Sequence, residues 1–202
     1  KKFKNRIDRF NLQRGNLVMI DLNNYLSEYN KLVNTAEVRN ALANVGMILE
    51  EQRNSSGRLL FFGNGAASSI AGHAALDFTK QGKLRSLCFH DPALLTAFSN
   101  DFGYENAYAE IISHYYEPSD IAVFVSVSGE SPNIIKGIKK AKQLGLRTIG
   151  FSGKNHDNSL NDAADHVFWV DSQAYNIVEN VHSIWLLSLC DYVIGRSVYA
   201  VS

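Results

Sequence analysis

Cysteine is scarce in this 202-residue chain. Its two copies, Cys88 and Cys190, each lie inside an apolar run, and neither has a partner at the spacing of a zinc knuckle or a redox pair. A disulfide framework is therefore excluded, and both read as buried thiols in a reducing compartment. Charge of one sign is also lacking: Lys plus Arg number 20 and Asp plus Glu number 20. No overall field draws the chain to nucleic acid or to an anionic membrane, so direct nucleic-acid binding is not expected and any anion site must be local. No apolar run reaches the roughly 20 residues that span a bilayer. The opening KKFKNRIDRF lacks the apolar core of a signal peptide. These absences read as a cytoplasmic protein with no membrane partner. The start on Lys1 rather than Met reads as a trimmed or partial chain.

With 46% hydrophobic and 20% charged residues, the chain can bury one full core. Residues 1–16 read as a basic, irregular arm. Apolar residues then recur at helical intervals from Leu17 to Leu32 and from Thr35 to Leu49. This predicts a helical hairpin over 17–53, whose apolar faces call for cover by a second subunit. Residues 54–202 form the main domain. Its short apolar segments, Arg58 to Phe62, Ser86 to Phe89, Ile121 to Val127, Arg147 to Phe151 and His166 to Val170, alternate with helical patterns over Ser68 to Thr79, Tyr104 to Tyr116, Pro132 to Leu144 and Ile177 to Ile194. Strands this apolar are covered on both faces, which predicts an α/β fold with a five-stranded, doubly wound parallel sheet and helices on both faces. Ligands then lie beyond the carboxyl ends of the strands, where the turns at Gly63 to Ser69, Ser126 to Ser131 and Ser152 to Asn155 meet.

Two of those turns have the chemistry of an anion site. Ser126, Ser128, Gly129 and Ser131 follow a buried strand and precede Pro132, which suits the first helical position. A helix N-terminus ringed by hydroxyls suits a phosphate, although Ser131 can also be read as a simple cap. The second turn, Gly63-Asn64-Gly65-Ala66-Ala67-Ser68, opens another helix. It is not a dinucleotide fingerprint, because Ser68 stands in place of a third glycine and no acidic residue ends the second strand. Ionisable residues share helix faces at two places, His73 with Asp77 and Glu179 with His182. Such groups could hold a divalent metal or divide acid and base roles, and could equally be surface pairs.

The runs FFGNGAASSIAGHAALDFTK, SNDFGYENAY and VSVSGESPNIIKGIKKAKQLGLRTIGFSG resemble the sugar isomerase (SIS) domain, and within it the phosphoheptose isomerases that act on sedoheptulose 7-phosphate in surface (lipopolysaccharide) polysaccharide synthesis. The resemblance covers about Asn34 to Ile194. It implies a flavodoxin-like sheet preceded by helices, a homotetramer, and sites between subunits. It also implies that Ser126, Ser128 and Ser131 hold the phosphate of a phosphorylated sugar, with Asn64 and Ser68 at the pocket and Asp101 near the sugar hydroxyls. His73, Asp77 and Glu179 would be the metal ligands, an incomplete and weak set for zinc, and Asp77, Glu179 and His182 the candidate acid/base groups.

The chain departs from that family at Ala67, where the isomerases have serine, at Val127 (threonine), Asp77 (glutamate), Glu179 (glutamine) and Leu187 (the acid/base and metal-binding histidine). His182 lies five residues before Leu187 and about 140° around the helix from it. Isomerase activity is therefore expected to be low. The alternative is a non-catalytic regulator or scaffold, resembling the replication-initiator-associating proteins that keep the fold without the histidine.

Overall fold

The computed structural model describes residues 20–199, so the predicted basic arm lies outside the described residues. Two helices come first, α1 (Leu22–Leu32) and α2 (Ala36–Arg53). The main domain follows as β1 (Leu59–Gly63), α3 (Ala66–Lys80), β2 (Ser86–Cys88), α4 (Pro92–Phe102), a 3-10 turn (Tyr104–Asn106), α5 (Ala107–Tyr115), β3 (Ile121–Val125), α6 (Pro132–Gln143), β4 (Arg147–Gly153), α7 (Ser159–Ala163), β5 (His166–Val170) and α8 (Tyr175–Ile194). The strands form one five-stranded sheet in the order β2-β1-β3-β4-β5. Every pairing is parallel. The fold is the expected doubly wound α/β sheet.

The period-2 alternation of the central strands sorts the core into two layers. Leu59 and Phe61 of β1 and Ile121, Val123 and Val125 of β3 face α2, α3 and α8, against Leu49, Phe78, Val181 and Trp185. Leu60, Phe62, Ala122 and Phe124 face the other way, against Tyr108, Ile111, Ile134 and Leu160. All five residues of β1 and all five of β3 are buried, which is why they read as unbroken apolar runs. Each large side chain buried here contributes about 1.5–3 kcal/mol.

The helical hairpin is covered more fully by its own chain than the sequence implied. Val45 and Leu49 of α2 join the core, and the Trp185 indole of α8 donates to the Val33 carbonyl between the two helices at 3.2 Å. Tyr25, Tyr29 and Leu32 of α1 pack partly on that core, while Leu22 and Leu26 stay exposed. Helix α8 is 20 residues long and apolar enough to cross a membrane by length and composition. Here it is a core helix, with Ile177, Val181, Trp185 and Leu189 buried along one side.

Opposite the carboxyl edge, Asp120 fastens the amino ends of β1 and β3. Its buried carboxylate accepts from the Arg58 backbone N–H at 2.8 Å, from the Arg58 guanidinium at 2.7 and 3.2 Å, and from the Glu117 N–H at 2.8 Å.

Two helices fall in stretches that the sequence reading left without an element. Helix α4 fully buries none of its residues, but Leu94, Leu95 and Phe98 share a face that packs partly on the core; Asp91 caps it by accepting from the Leu94 N–H, and Pro92 opens it. Helix α7 has five residues, too few for a period to show.

Candidate functional site

The strand order makes the chain diverge between β1, which leads to β2 on one side, and β3, which leads to β4 on the other. Gly63 pairs with Val125 across the two strands, so their turns leave the sheet side by side and frame a crevice. Gly65 adopts φ 57°, a left-handed conformation suited to glycine, and starts α3 with no side-chain cap. Ser131 occupies the N-cap position of α6, yet its hydroxyl makes no capping bond and instead meets the Ser126 hydroxyl at 3.4 Å. Ala174 opens α8, also without a side-chain cap. By contrast, α1, α2, α4 and α7 are closed by Asp21, Thr35, Asp91 and Asn158. Capping therefore does not account for Ser131; in α6 Pro132 has no N–H and Asn133 Oδ1 accepts from the Ile134 N–H at 3.0 Å, so what the helix presents to the crevice is chiefly the positive end of its dipole beside the serine hydroxyls.

A cavity of about 130 Å³ lies at this point. It is lined by Asn64 and Ala67 from the first turn, by Ser126, Ser128 and Ser131 from the second, and by Tyr175 and Glu179 from the first turns of α8. Pockets for whole drug-sized ligands run from roughly 300 Å³ upward, so this one suits a small anionic group with the rest of the ligand outside. Its two walls are tied by paired amides. Asn64 Nδ2 donates to Asn133 Oδ1, and Asn133 Nδ2 donates back to Asn64 Oδ1, both at 2.9 Å. The Tyr104 hydroxyl donates to the same Asn64 oxygen at 2.9 Å, and the buried Tyr108 hydroxyl donates to the Gly63 carbonyl. Sequence reasoning does not single out Asn133 or Tyr104; their place beside the site follows from strand order. Lys154, at φ 57°, sets its ammonium 4.0 Å from the centre of the Tyr175 ring and so brings a cation to the rim.

The other candidates lie elsewhere within one chain. His73 Nε2 stands 3.2 Å from Asp77 Oδ2, a pair one turn apart on α3 with the imidazole half exposed. Asp77 is close enough to Cys190 for its carboxylate to reinforce the effect of burial, which pushes that thiol up to about 12. Cys190 is eleven residues beyond Glu179 on α8, about 16 Å along the helix. Glu179 lines the cavity and Asp77 does not. Among the described residues no three His, Cys, Asp or Glu side chains form a metal-holding group within the one chain. Ser68 does not line the cavity; its carbonyl faces the Cys88 thiol at 3.9 Å. Asp101 is exposed on α4 and accepts from the Asn100 amide.

His182 is the placement furthest from its expected role. It is 0% exposed, with Nε2 against the Ser152 carbonyl at 2.9 Å and Nδ1 without a partner. Its ring meets Phe151 edge-on at 5.8 Å, and burial holds its pKa down at about 4. It is a neutral core histidine in this chain, with no face toward the cavity. Leu187 is half-buried, and among the described residues no imidazole lines the cavity.

Against known proteins, a family model described as SIS domain matches residues 24–153. A phosphoheptose isomerase of Crocosphaera subtropica is 32% identical over 152 residues, which cover 72% of this chain and 77% of that one. The solved structure of a phosphoheptose isomerase from Francisella tularensis superposes with a TM-score of 0.77 at 22% identity, covering 88% of this chain and 100% of the other. That of a phosphoheptose isomerase from Neisseria gonorrhoeae superposes at 0.74 with 19% identity, covering 95% of this chain and 98% of the other.

Proposed function

We propose, from the premise that this chain belongs to the SIS-domain family, among relatives that are phosphoheptose isomerases, that it binds a sugar phosphate in the crevice and isomerises sedoheptulose 7-phosphate. The observation that carries the reading is the cavity itself. Hydroxyls of Ser126, Ser128 and Ser131 surround it, and the N-termini of α3, α6 and α8 open on it, none capped by the side chain that precedes the helix. The partial positive charge of the helix ends suits a phosphate dianion, and hydroxyls supply its hydrogen bonds. The sugar then extends past Tyr175 and Glu179. Aldose-ketose isomerisation moves a proton between C1 and C2, which needs a base beside the substrate, and Glu179 is the carboxylate that lines the cavity.

The reading extends to a cytoplasmic homotetramer serving surface polysaccharide synthesis. Exposed Leu22, Leu26, Met47 and Leu76 on the helices outside the sheet support self-association. His73 and Asp77, paired on one helix, and Glu179 from α8 are the residues that would hold a zinc ion. A second reading, a sugar-phosphate-binding regulator without turnover, is favoured by the lack of an imidazole in the cavity. Incubating the protein with sedoheptulose 7-phosphate in deuterated water decides between them. An isomerase forms the aldose and incorporates deuterium at the carbon that receives the proton. Ligand binding without either product supports the regulator, and absence of binding contradicts both readings.

A further inference from the structure

The serine turn carries a residue that local electrostatics opposes. Glu130 lies between Ser128 and Ser131, so a carboxylate sits within the stretch that surrounds the anion cavity. Its charge would repel a phosphate if it pointed inward. Instead both carboxylate oxygens are engaged away from the cavity. One accepts from the Ser159 backbone N–H at 2.8 Å and the other from the Ser159 hydroxyl at 2.7 Å. The neighbouring Gly129 carbonyl accepts from the Leu160 N–H at 3.0 Å. The first two N–H groups of α7, which that helix cannot satisfy itself, are thus satisfied by the serine turn. Asn158 completes the junction: its Oδ1 accepts from the Asn161 N–H at 3.0 Å, and its Nδ2 donates to the Asn155 carbonyl at 2.7 Å. Gly129, at φ 65°, packs so closely on the Asn158 amide that a β-carbon there would overlap it.

We propose that Glu130 is a positioning residue for anion binding: its carboxylate latches the Ser128-Gly129-Glu130 turn to the start of α7 and so holds the Ser126, Ser128 and Ser131 hydroxyls in place around the ligand. The inference rests on the sugar-phosphate reading of the cavity. It extends the functional unit to α7, which contributes no residue to the cavity lining. The Ser128 hydroxyl accepts from the Glu130 N–H at 3.2 Å, so a turn released from α7 shifts the hydroxyl that faces the ligand.

Charge alone and positioning predict opposite signs, which makes the role testable. Deleting a carboxylate near a dianion should tighten binding if its only influence is repulsion. The latch predicts weaker binding, because the ligand must then order the turn itself. The experiment is calorimetric titration of the wild type, Glu130→Ala, Glu130→Gln and Ser159→Ala with sedoheptulose 7-phosphate and with inorganic phosphate. Wild-type binding of either ligand is the control for the cavity reading. Glu130→Ala should bind roughly fivefold or more weakly, the usual scale of a lost capping interaction. Glu130→Gln keeps an acceptor for the Ser159 N–H and should restore most of the affinity. Ser159→Ala, which removes only the hydroxyl arm, should fall between, and it serves as the reading if Glu130→Ala does not fold. Amide exchange at Ser159 should quicken in Glu130→Ala without ligand. Wild-type binding with equal or tighter binding by Glu130→Ala overturns the latch while leaving the cavity reading intact. No binding by the wild type overturns both.

Discussion

His182 gives a prediction whose magnitude follows from its surroundings. The imidazole is fully buried between Phe151 and Trp185 and is held neutral, with its pKa lowered from 6.5 to about 4 chiefly by burial, partly offset by the bond to the Ser152 carbonyl. The folded value lies below the unfolded one, so the unfolded chain takes up the proton first. The stability tied to this group is fully present above about pH 6.5 and is lost as pH falls toward 4. A shift of that size corresponds to a loss of about 2 kcal/mol at pH 5 and about 3 kcal/mol by pH 4. The perturbation is His182→Gln, which keeps an N–H donor for the Ser152 carbonyl and cannot titrate. At pH 7.5 the variant should be less stable by on the order of 1 kcal/mol, through poorer packing against the two aromatic rings. Between pH 7.5 and pH 5 it should lose about 2 kcal/mol less than the wild type. Urea denaturation of both proteins at several pH values measures this directly. Equal pH slopes would refute the placement of a neutral, buried imidazole, and would return His182 to consideration as a proton carrier.

Two further outcomes follow from named contacts. Asp120→Ala leaves the Arg58 guanidinium without its buried partner at the amino ends of β1 and β3, and should cost about 3–5 kcal/mol in urea denaturation. A loss under about 1 kcal/mol would mean that this pair does not fasten the sheet. Ser128→Ala removes a cavity hydroxyl and should weaken sugar-phosphate binding by about 1.5–3 kcal/mol in calorimetry, the scale of a hydrogen bond to a charged group. Unchanged affinity would put the phosphate elsewhere.

The sheet was legible because its central strands β1 and β3 are covered on both faces and therefore read as apolar runs between turns; even at the edge, His166 to Val170 matches β5 end for end. The serine turn was legible for the same reason, being the polar interruption that follows β3. Pairing across the fold was less legible. Asn133 looks like an ordinary residue of a helix first turn, and only the adjacency of β1 and β3 brings it to Asn64. Glu130 reads as one more charged turn residue, since nothing local indicates that α7 lies against it. Helical spacing put His182 on the same stretch as Glu179, but three residues of rotation turn one toward the core and the other toward the cavity. His73 and Asp77 do face each other as their i, i+4 spacing implied.

The claim on which the rest depends is that the crevice between the Gly63 and Ser126 turns recognises a phosphate carried on a sugar. Calorimetric titration with sedoheptulose 7-phosphate beside unphosphorylated sedoheptulose, with inorganic phosphate as competitor, tests it most directly. The account predicts that the phosphorylated sugar binds, that phosphate displaces it, and that sedoheptulose alone gives no measurable binding. Equal affinities for the two sugars, with no competition by phosphate, would contradict it.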